Sequence, residues 1–289
     1  MPQNSIRGIK RRIKSVKSIE HITNAMKLVS SAKLRKAKNA YEKTNKYLAV
    51  ITQEIEEILK NADLKNIKSN NDTQARTCYI AITSNGGLCG SFSTNIIKKV
   101  LYEMNEEKSQ ERQTALLVAI GNKGREYFIK RGYEIIQDYL YPPESITFEE
   151  VQELCVSFLK MYNEGKIDKI VLIYNAFIDS LMQKVIVKTL LPYESKSGED
   201  IKTKKYIEYE PSDSAVFDYI IPKYAEVAVY KAIVESATCE HAARRIAMEN
   251  ATDNALEMID ELSLEFNTIR QAAITNEISE IVRGAEALK

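Results

Sequence analysis

The sequence predicts an α/β fold with long α-helices: N- and C-terminal helices paired as an antiparallel coiled coil, with an α/β domain inserted between them. Three observations predict it. Neither proline nor glycine occurs in residues 9–59 or 223–283, and at about 1.5 Å per residue each stretch makes an unbroken helix of roughly 80–90 Å. Between them, short β-rich apolar runs alternate with amphipathic segments, the pattern of a largely parallel sheet. Charge is also divided: from Arg7 to Lys46 thirteen basic residues stand against two acids, and from Glu235 to Glu286 eleven acids stand against four arginines. Opposite charge favours the two ends lying side by side. Helices far beyond the ~10–14 residues usual in globular proteins also need a partner helix or a sheath of other subunits. The expected divisions are 1–60, 75–210 and 212–289.

The first helix is read from Ile6, Ile9, Ile13, Val16, Ile19, Ile22, Met26 and Val29, spaced three or four apart. Its three-residue steps from Ile13 to Ile22 depart from a strict heptad and predict local overwinding. The row resumes at Leu48, Ile51, Ile55 and Ile58. Asn61 to Gln74 is polar and reads as a linker. A strand at 77–83, a glycine-rich turn at 84–91 and a helix at 94–107 follow. Next come a strand at 115–120 and a turn, Gly121 to Gly124, leading into a helix that stops near Gly132. A strand at 134–140, an amphipathic helix at 148–163, and strands at 169–174 and 181–191 complete the domain. In the last strand the alternation of Val185, Val187 and Thr189 predicts one exposed face, and the sheet is expected to be mainly parallel with an antiparallel edge. Residues 195–205 read as a polar loop, and Tyr206 to Glu210 as a strand-like tail ended by Pro211.

In the C-terminal helix Ala243, Ala247, Ala251 and Ala255 step by four, a small-residue stripe suited to close packing against Ala25, Ala32, Ala37 and Ala40. Ile259, Leu262, Phe266, Ile269 and Ala273 continue a core stripe. Beyond Ala273 the chain is apolar on one narrow face only, so this tip is expected to outrun its partner helix and need foreign protein around it.

Several chemistries are excluded or disfavoured. No run approaches the ~18 apolar residues of a membrane span, and the basic N-terminus lacks a signal-peptide core, so a mature cytoplasmic chain is expected. Cys78, Cys89, Cys155 and Cys239 form no C-x-x-C pair and only two histidines are present; ordinary core thiols and no metal site are expected. His21 and His241 are expected on helix surfaces or at a helix seam. Gly86 to Ser91 sits where phosphate loops occur but lacks the lysine a P-loop places before its Ser or Thr, and Gly121 to Gly124 is too short for a dinucleotide fingerprint. Both are expected to be structural turns. Cys89 has no base near it to make it a nucleophile. The basic run Arg7 to Lys46 spreads over several faces and has almost no aromatic before Tyr41, which argues against a nucleic-acid arm. The rival classes are thus a basic coiled-coil nucleic-acid-binding protein and a cofactor-binding α/β enzyme.

Residues 19–35 (IEHITNAMKLVSSAKLR), 235–255 (ESATCEHAARRIAMENATDNA) and 266–285 (FNTIRQAAITNEISEIVRGA) resemble the terminal signatures of gamma subunits of F-type ATP synthases, the last most specifically. Gly87-Leu-Cys-Gly90 and Tyr174-Asn-Ala-Phe177 are similar to central-domain motifs of that family. Asn85-Gly86, Phe266 and Cys239 depart from its usual residues, and the cysteine-containing insertion of chloroplast relatives is absent. The resemblance implies a Rossmann-like α/β domain on a central-stalk rotor that has no catalytic site of its own. Such a rotor couples transmembrane ion flow to ATP synthesis or hydrolysis by turning inside a hexamer of alpha and beta subunits. The resemblance places ATP, ADP and magnesium on those subunits and no cofactor on this chain. It implies a foot resting on epsilon and the c-ring, at the cytoplasmic face of the cell membrane, with no nucleic acid and no direct membrane span. Position by position, Met26, Lys27, Arg244, Arg270, Gln271, Thr275 and Glu277 are implied to contact the beta subunits, and Tyr209 and Glu210 to face epsilon and the c-ring. Leu256 to Arg283 is expected to run as an axle tip among foreign subunits, with the alanine stripe below it gripped by the N-terminal helix.

Overall fold

A computed structural model describes residues 2–61, 76–108, 115–140, 146–179, 181–193 and 213–286. The elements run α1 (Pro2–Asn61), β1 (Thr77–Ile82), α2 (Phe92–Lys108), β2 (Leu116–Ile120), α3 (Asn122–Lys130), β3 (Ile135–Tyr139), α4 (Phe148–Asn163), β4 (Lys169–Phe177), β5 (Gln183–Leu191) and α5 (Asp213–Glu286). They pack as two units, Met1–Ser31 with Arg244–Lys289, and Ala32–Ala243. The linker after Asn61, the loop at 195–205 and the tail that holds Tyr209 and Glu210 lie outside the described residues.

In the larger unit the strands order as β3-β2-β1-β4-β5. The first four are parallel, and β5 closes the edge antiparallel to β4. β1 and β2 are buried at every residue, as apolar runs covered on both faces must be. On one face Ile80, Val118 and Leu172 meet α4, through Leu154 and Phe158, and α5, through Val229 and Ile233. On the other, Tyr79, Leu117 and Val171 meet Ile96 and Val100 of α2, Phe128 of α3 and Cys239 of α5. Each such fully buried side chain contributes about 1.5–3 kcal/mol of transfer free energy. α4 starts where its sequence says: Thr147 and Glu150 form a reciprocal capping box.

Three local expectations change. β4 runs on to Phe177 because Asn175, Ala176 and Phe177 pair with Val185, Lys184 and Gln183 of β5. The polar Asn175 ended the apolar run in the sequence, yet its amide is buried and donates to Phe92 O at 3.2 Å. The outer face of β5 is not open: Ile186 is half-buried, and Lys188 Nζ stands 5.1 Å over the ring of Tyr224 in α5. Gly124 belongs to α3 and not to the turn before it. Of the two histidines, expected on helix surfaces or at a helix seam, His21 is exposed on α1 and His241 is buried on α5. α5 also continues through Pro222 without a break in the helix.

In the smaller unit α1 and α5 pair antiparallel. Val16, Ala255 and Leu262 form the core, with Ile9, Ile13 and Ile259 against it. Thr23 Oγ1 and Thr252 Oγ1 meet at 2.9 Å. The covered positions of α1 include Ile9, Ile13, Val16, Glu20, Thr23, Lys27 and Ser30, in steps of four and three, with Ile6, Asn24, Met26 and Ser31 also half-buried. That four-three spacing is heptad-like, and it departs from the three-residue apolar steps between Ile13 and Ile22. From residue 19 the apolar row and the seam part company, and Ile19, Ile22 and Val29 are 52%, 57% and 58% exposed. On α5 the seam is Met248, Thr252, Ala255, Ile259, Leu262, Phe266, Ile269 and Ala273. The small surface proposed for α1 is not there: Ala25, Ala32 and Ala40 are exposed, and only Ala37 is half-buried. Leu256 to Arg283 is likewise not all tip, since Ile259 and Leu262 pair with α1. The Thr23–Thr252 register sets Pro2 opposite about residue 273, and the described residues beyond it have no helix of α1 beside them.

Candidate functional site

In open α/β sheets ligands bind at the carboxyl ends of the strands, where the connections diverge to either side. Here that point is the end of β1, flanked by β2 and β4. A helix N-terminus at such a place usually offers its free N–H groups to phosphate. The first amides of α3 are already taken: Asn122 N–H donates to Asn85 Oδ1 at 2.9 Å, Lys123 N–H to Ser84 O at 3.0 Å, and Gly124 N–H to Thr83 Oγ1 at 2.9 Å. Asn85 Nδ2 donates in turn to Leu140 O at 2.8 Å. Ser84 Oγ lies 2.7 Å from Ser93 Oγ and 2.7 Å from Gly86 O. The glycine-rich turn therefore ties α2, α3 and the strand ends together, as a joint and not as a cradle.

Thr83 is the centre of that joint, with its hydroxyl 3.1 Å from Ile120 O and accepting from Gly124. Thr83→Val keeps the shape and leaves the buried Gly124 N–H unsatisfied, which costs about 1–3 kcal/mol. Its urea unfolding midpoint is expected to fall accordingly; an unchanged midpoint would show that the joint carries no stability.

The thiols do not supply a nucleophile. Cys89 is buried, with Sγ 3.5 Å from Ser84 Oγ. Burial pushes the Cys78 thiol up to about 12 and raises Cys155 and Cys239 as well, away from the reactive thiolate. Arg125 and Asp138 pair across a shallow concavity beside α3 and β3, so its two charges neutralise each other. Among the described residues no group of His, Cys, Asp or Glu is placed to hold a metal ion, and no helix is long and apolar enough to cross a membrane.

One buried acid stands out in the larger unit. Glu235 of α5 accepts from Phe177 N–H at 2.9 Å and from Tyr41 OH at 3.5 Å, and Tyr174 also hydrogen-bonds to it. Burial raises its carboxyl above the ordinary value of 4.5, against the lowering effects of Phe177 N–H, Lys231 and the two tyrosines. Burial and then Glu235 push Tyr41 up to about 12. A carboxyl raised in the folded state stabilises it fully below its unfolded pKa and progressively less as pH rises through the folded pKa. Wild type is therefore expected to lose stability relative to E235Q as pH rises from about 4.5, measured as the difference in urea midpoints. Parallel pH profiles for the two would contradict this.

All seven shaft positions inferred from sequence lie in the smaller unit. Met26, Lys27 and Arg244 are half-buried, whereas Arg270, Gln271, Thr275 and Glu277 are exposed. Thr275 Oγ1 donates back to Gln271 O at 3.0 Å. By the register, Met26 and Lys27 lie roughly 30 Å along the pair from Arg270, so the structure does not join them into one cluster. Two apolar surfaces have no cover among the described residues; the first was missed by sequence reasoning, and the second includes the tip that the sequence expected to need foreign protein. One is Ile19, Ile22, Leu28 and Val29 on α1; the other runs from Leu264 through Ile274, Ile278 and Val282 to Ile281, which is 72% exposed. The Thr23–Thr252 contact was also missed, since neither threonine carries a signal of its own.

Comparison with known proteins agrees with this organisation. The family model described as ATP synthase matches residues 5–288. The ATP synthase gamma chain of Alkaliphilus metalliredigens is 41% identical over 290 residues, covering 98% of this chain and 99% of that one. Among solved structures, a chain of the Euglena gracilis mitochondrial ATP synthase in rotational state 3 aligns with a TM-score of 0.68 at 20% identity, over 99% of this chain and 95% of that one. A second, from the rotor of the same enzyme in rotational state 1, aligns at 0.65 and 19% identity, over 94% and 99%. These two establish likeness of fold. With nearly its whole length matched by the family model and by a relative of 41% identity, the chain belongs to the gamma-chain family of ATP synthases.

Proposed function

We propose that the chain is the central-stalk rotor of an F-type ATP synthase, turning within a hexamer of alpha and beta subunits to couple ion flow to ATP synthesis or hydrolysis. The observation that carries this reading is the pair of uncovered apolar surfaces on a two-helix seam. A monomer leaves such surfaces exposed only where foreign protein covers them. They lie on different helices, one on α1 and the other on α5, so the shaft is not symmetric about its axis and each angular position meets the surrounding subunits differently. Only such differential contact can shift conformational equilibria at distant sites. In this reading nucleotide and magnesium sit on alpha and beta, and Met26, Lys27, Arg244, Arg270, Gln271, Thr275 and Glu277 face the beta subunits. Tyr209 and Glu210 face epsilon and the c-ring, at the cytoplasmic side of the cell membrane. The c-ring named with the similar Euglena assembly in rotational state 3 supports this placement of the foot.

The test is co-purification of tagged chain from cells expressing the other subunits. Recovery of alpha, beta and epsilon in a complex with ATPase activity is expected. A chain that purifies alone, carries a cofactor, or retains nucleic acid in a salt-sensitive manner would overturn the reading.

A further inference from the structure

Within the larger unit, one carboxylate lies where α1, β4 and α5 meet. Glu235 is only 6% exposed. It holds the main chain at the last residue of β4 through Phe177 N–H, and it holds α1 through the Tyr41 hydroxyl. The ring of Tyr41 packs edge-on to Phe177, with centroids 6.1 Å apart. One helical turn further along α5, the Cys239 thiol donates to Asn175 O at 3.3 Å, and Gln183 of β5 donates to Cys239 O at 2.8 Å. The titratable groups facing the carboxylate are Tyr41 from α1, Tyr174 from β4, and Lys231 and Cys239 from α5. Apolar side chains would fill this space with less desolvation. A carboxylate instead supplies several acceptor sites on one rigid group, which hydroxyls and a backbone amide from different elements can share.

We propose that Glu235 is a positioning residue that clamps the end of β4 to both α1 and α5, so that the α/β domain and the two helices beside it bear torque as one body. The inference rests on the rotor reading above. Without the clamp the sheet remains folded on its own cores, but its last β4 residues are free to shift against the helices under load, and rotation is transmitted loosely.

The test uses the complete ATP synthase in sealed vesicles carrying E235A, E235Q or Y41F. For E235A, ATP hydrolysis near the wild-type rate with severalfold less ion pumping per ATP is expected. Hydrogen exchange across the end of β4 in that complex is expected to speed about tenfold or more, the loss of a charge-assisted hydrogen bond. E235Q keeps an acceptor for Phe177 N–H and is expected to recover most of the pumping, which simple loss of packing would not predict. Y41F is expected to fall between E235Q and E235A, and Y41F combined with E235A to be no worse than E235A alone. If E235A does not fold, the Y41F defect, with exchange quickened at the end of β4, carries the test. Wild-type pumping with unchanged exchange in E235A, or in Y41F where E235A does not fold, would overturn the clamp while leaving the rotor reading intact. A wild-type chain that never joins the complex would overturn the rotor reading itself.

Discussion

Alanine at Gly121 is expected to unfold the α/β unit. Gly121 has φ of 95°, a left-handed conformation that side chains other than glycine rarely adopt. A Cβ there would stand 2.1 Å from the Thr83 carbonyl oxygen and 2.6 Å from its carbon. Neither backbone can give way. Thr83 N–H donates to Ile120 O at 2.7 Å, and Gly121 N–H donates to Tyr139 O at 2.9 Å, so relief of the clash would break the sheet between β1, β2 and β3. The conformation alone costs about 1–3 kcal/mol, and the overlap adds to that, against a total stability of about 5–15 kcal/mol for a typical domain. Gly124→Ala provides the control. Its Cβ would come to 2.8 Å from Thr83 Oγ1, a side-chain atom, at an ordinary helical conformation. The expected order of melting temperatures is wild type, then G124A, then G121A, with G121A recovered mainly as insoluble chain. A soluble G121A with the wild-type melting temperature would refute the account.

Met26→Lys is expected to impair coupling while leaving assembly largely intact. Met26 is half-buried beside the seam residue Lys27, between Ile22 and Val29, which point outward. The substitution leaves the two-helix core untouched, because Val16, Ala255 and Leu262 do not depend on it. It adds an ammonium to a segment already strongly basic, on a surface that the rotor reading covers with another subunit. A cation taken out of water there costs several kcal/mol unless it finds a carboxylate. Either outcome favours some angular positions over others, and every 1.4 kcal/mol of bias is about tenfold in population. Hydrolysis by the reconstituted enzyme is therefore expected to persist with severalfold less ion pumping per ATP. Full coupling in the M26K enzyme would refute it.

The fates of individual residues mark how far sequence reasoning reached. On α5 the row Ile259, Leu262, Phe266, Ile269 and Ala273 was read correctly, because apolar residues occupy the seam at every step. On α1 the same reasoning followed the isoleucines away from the seam at residue 19. The pairing surface there is Glu20, Thr23, Lys27 and Ser30, and periodicity counts only apolar positions. The strand and helix order of the domain was legible from β-rich runs and glycine turns, but the extension of β4 to Phe177 was not, since Asn175 broke the apolar pattern. For the shaft positions, motif resemblance supplied the residues and the structure supplied their exposure and their separation along the pair.

By itself, the sequence determined two long helices and the strand–helix alternation between them. These depend on local propensity, spacing and the placement of glycine and proline, which act within a few residues. Only the tertiary structure decided which face of α1 is buried, how the α3 amides are occupied by Thr83, Ser84 and Asn85, and that Glu235 joins β4 to α1. Each of these depends on groups far apart in the chain. No local pattern encodes such a meeting. It follows from which contacts satisfy buried polar groups once the apolar faces have closed.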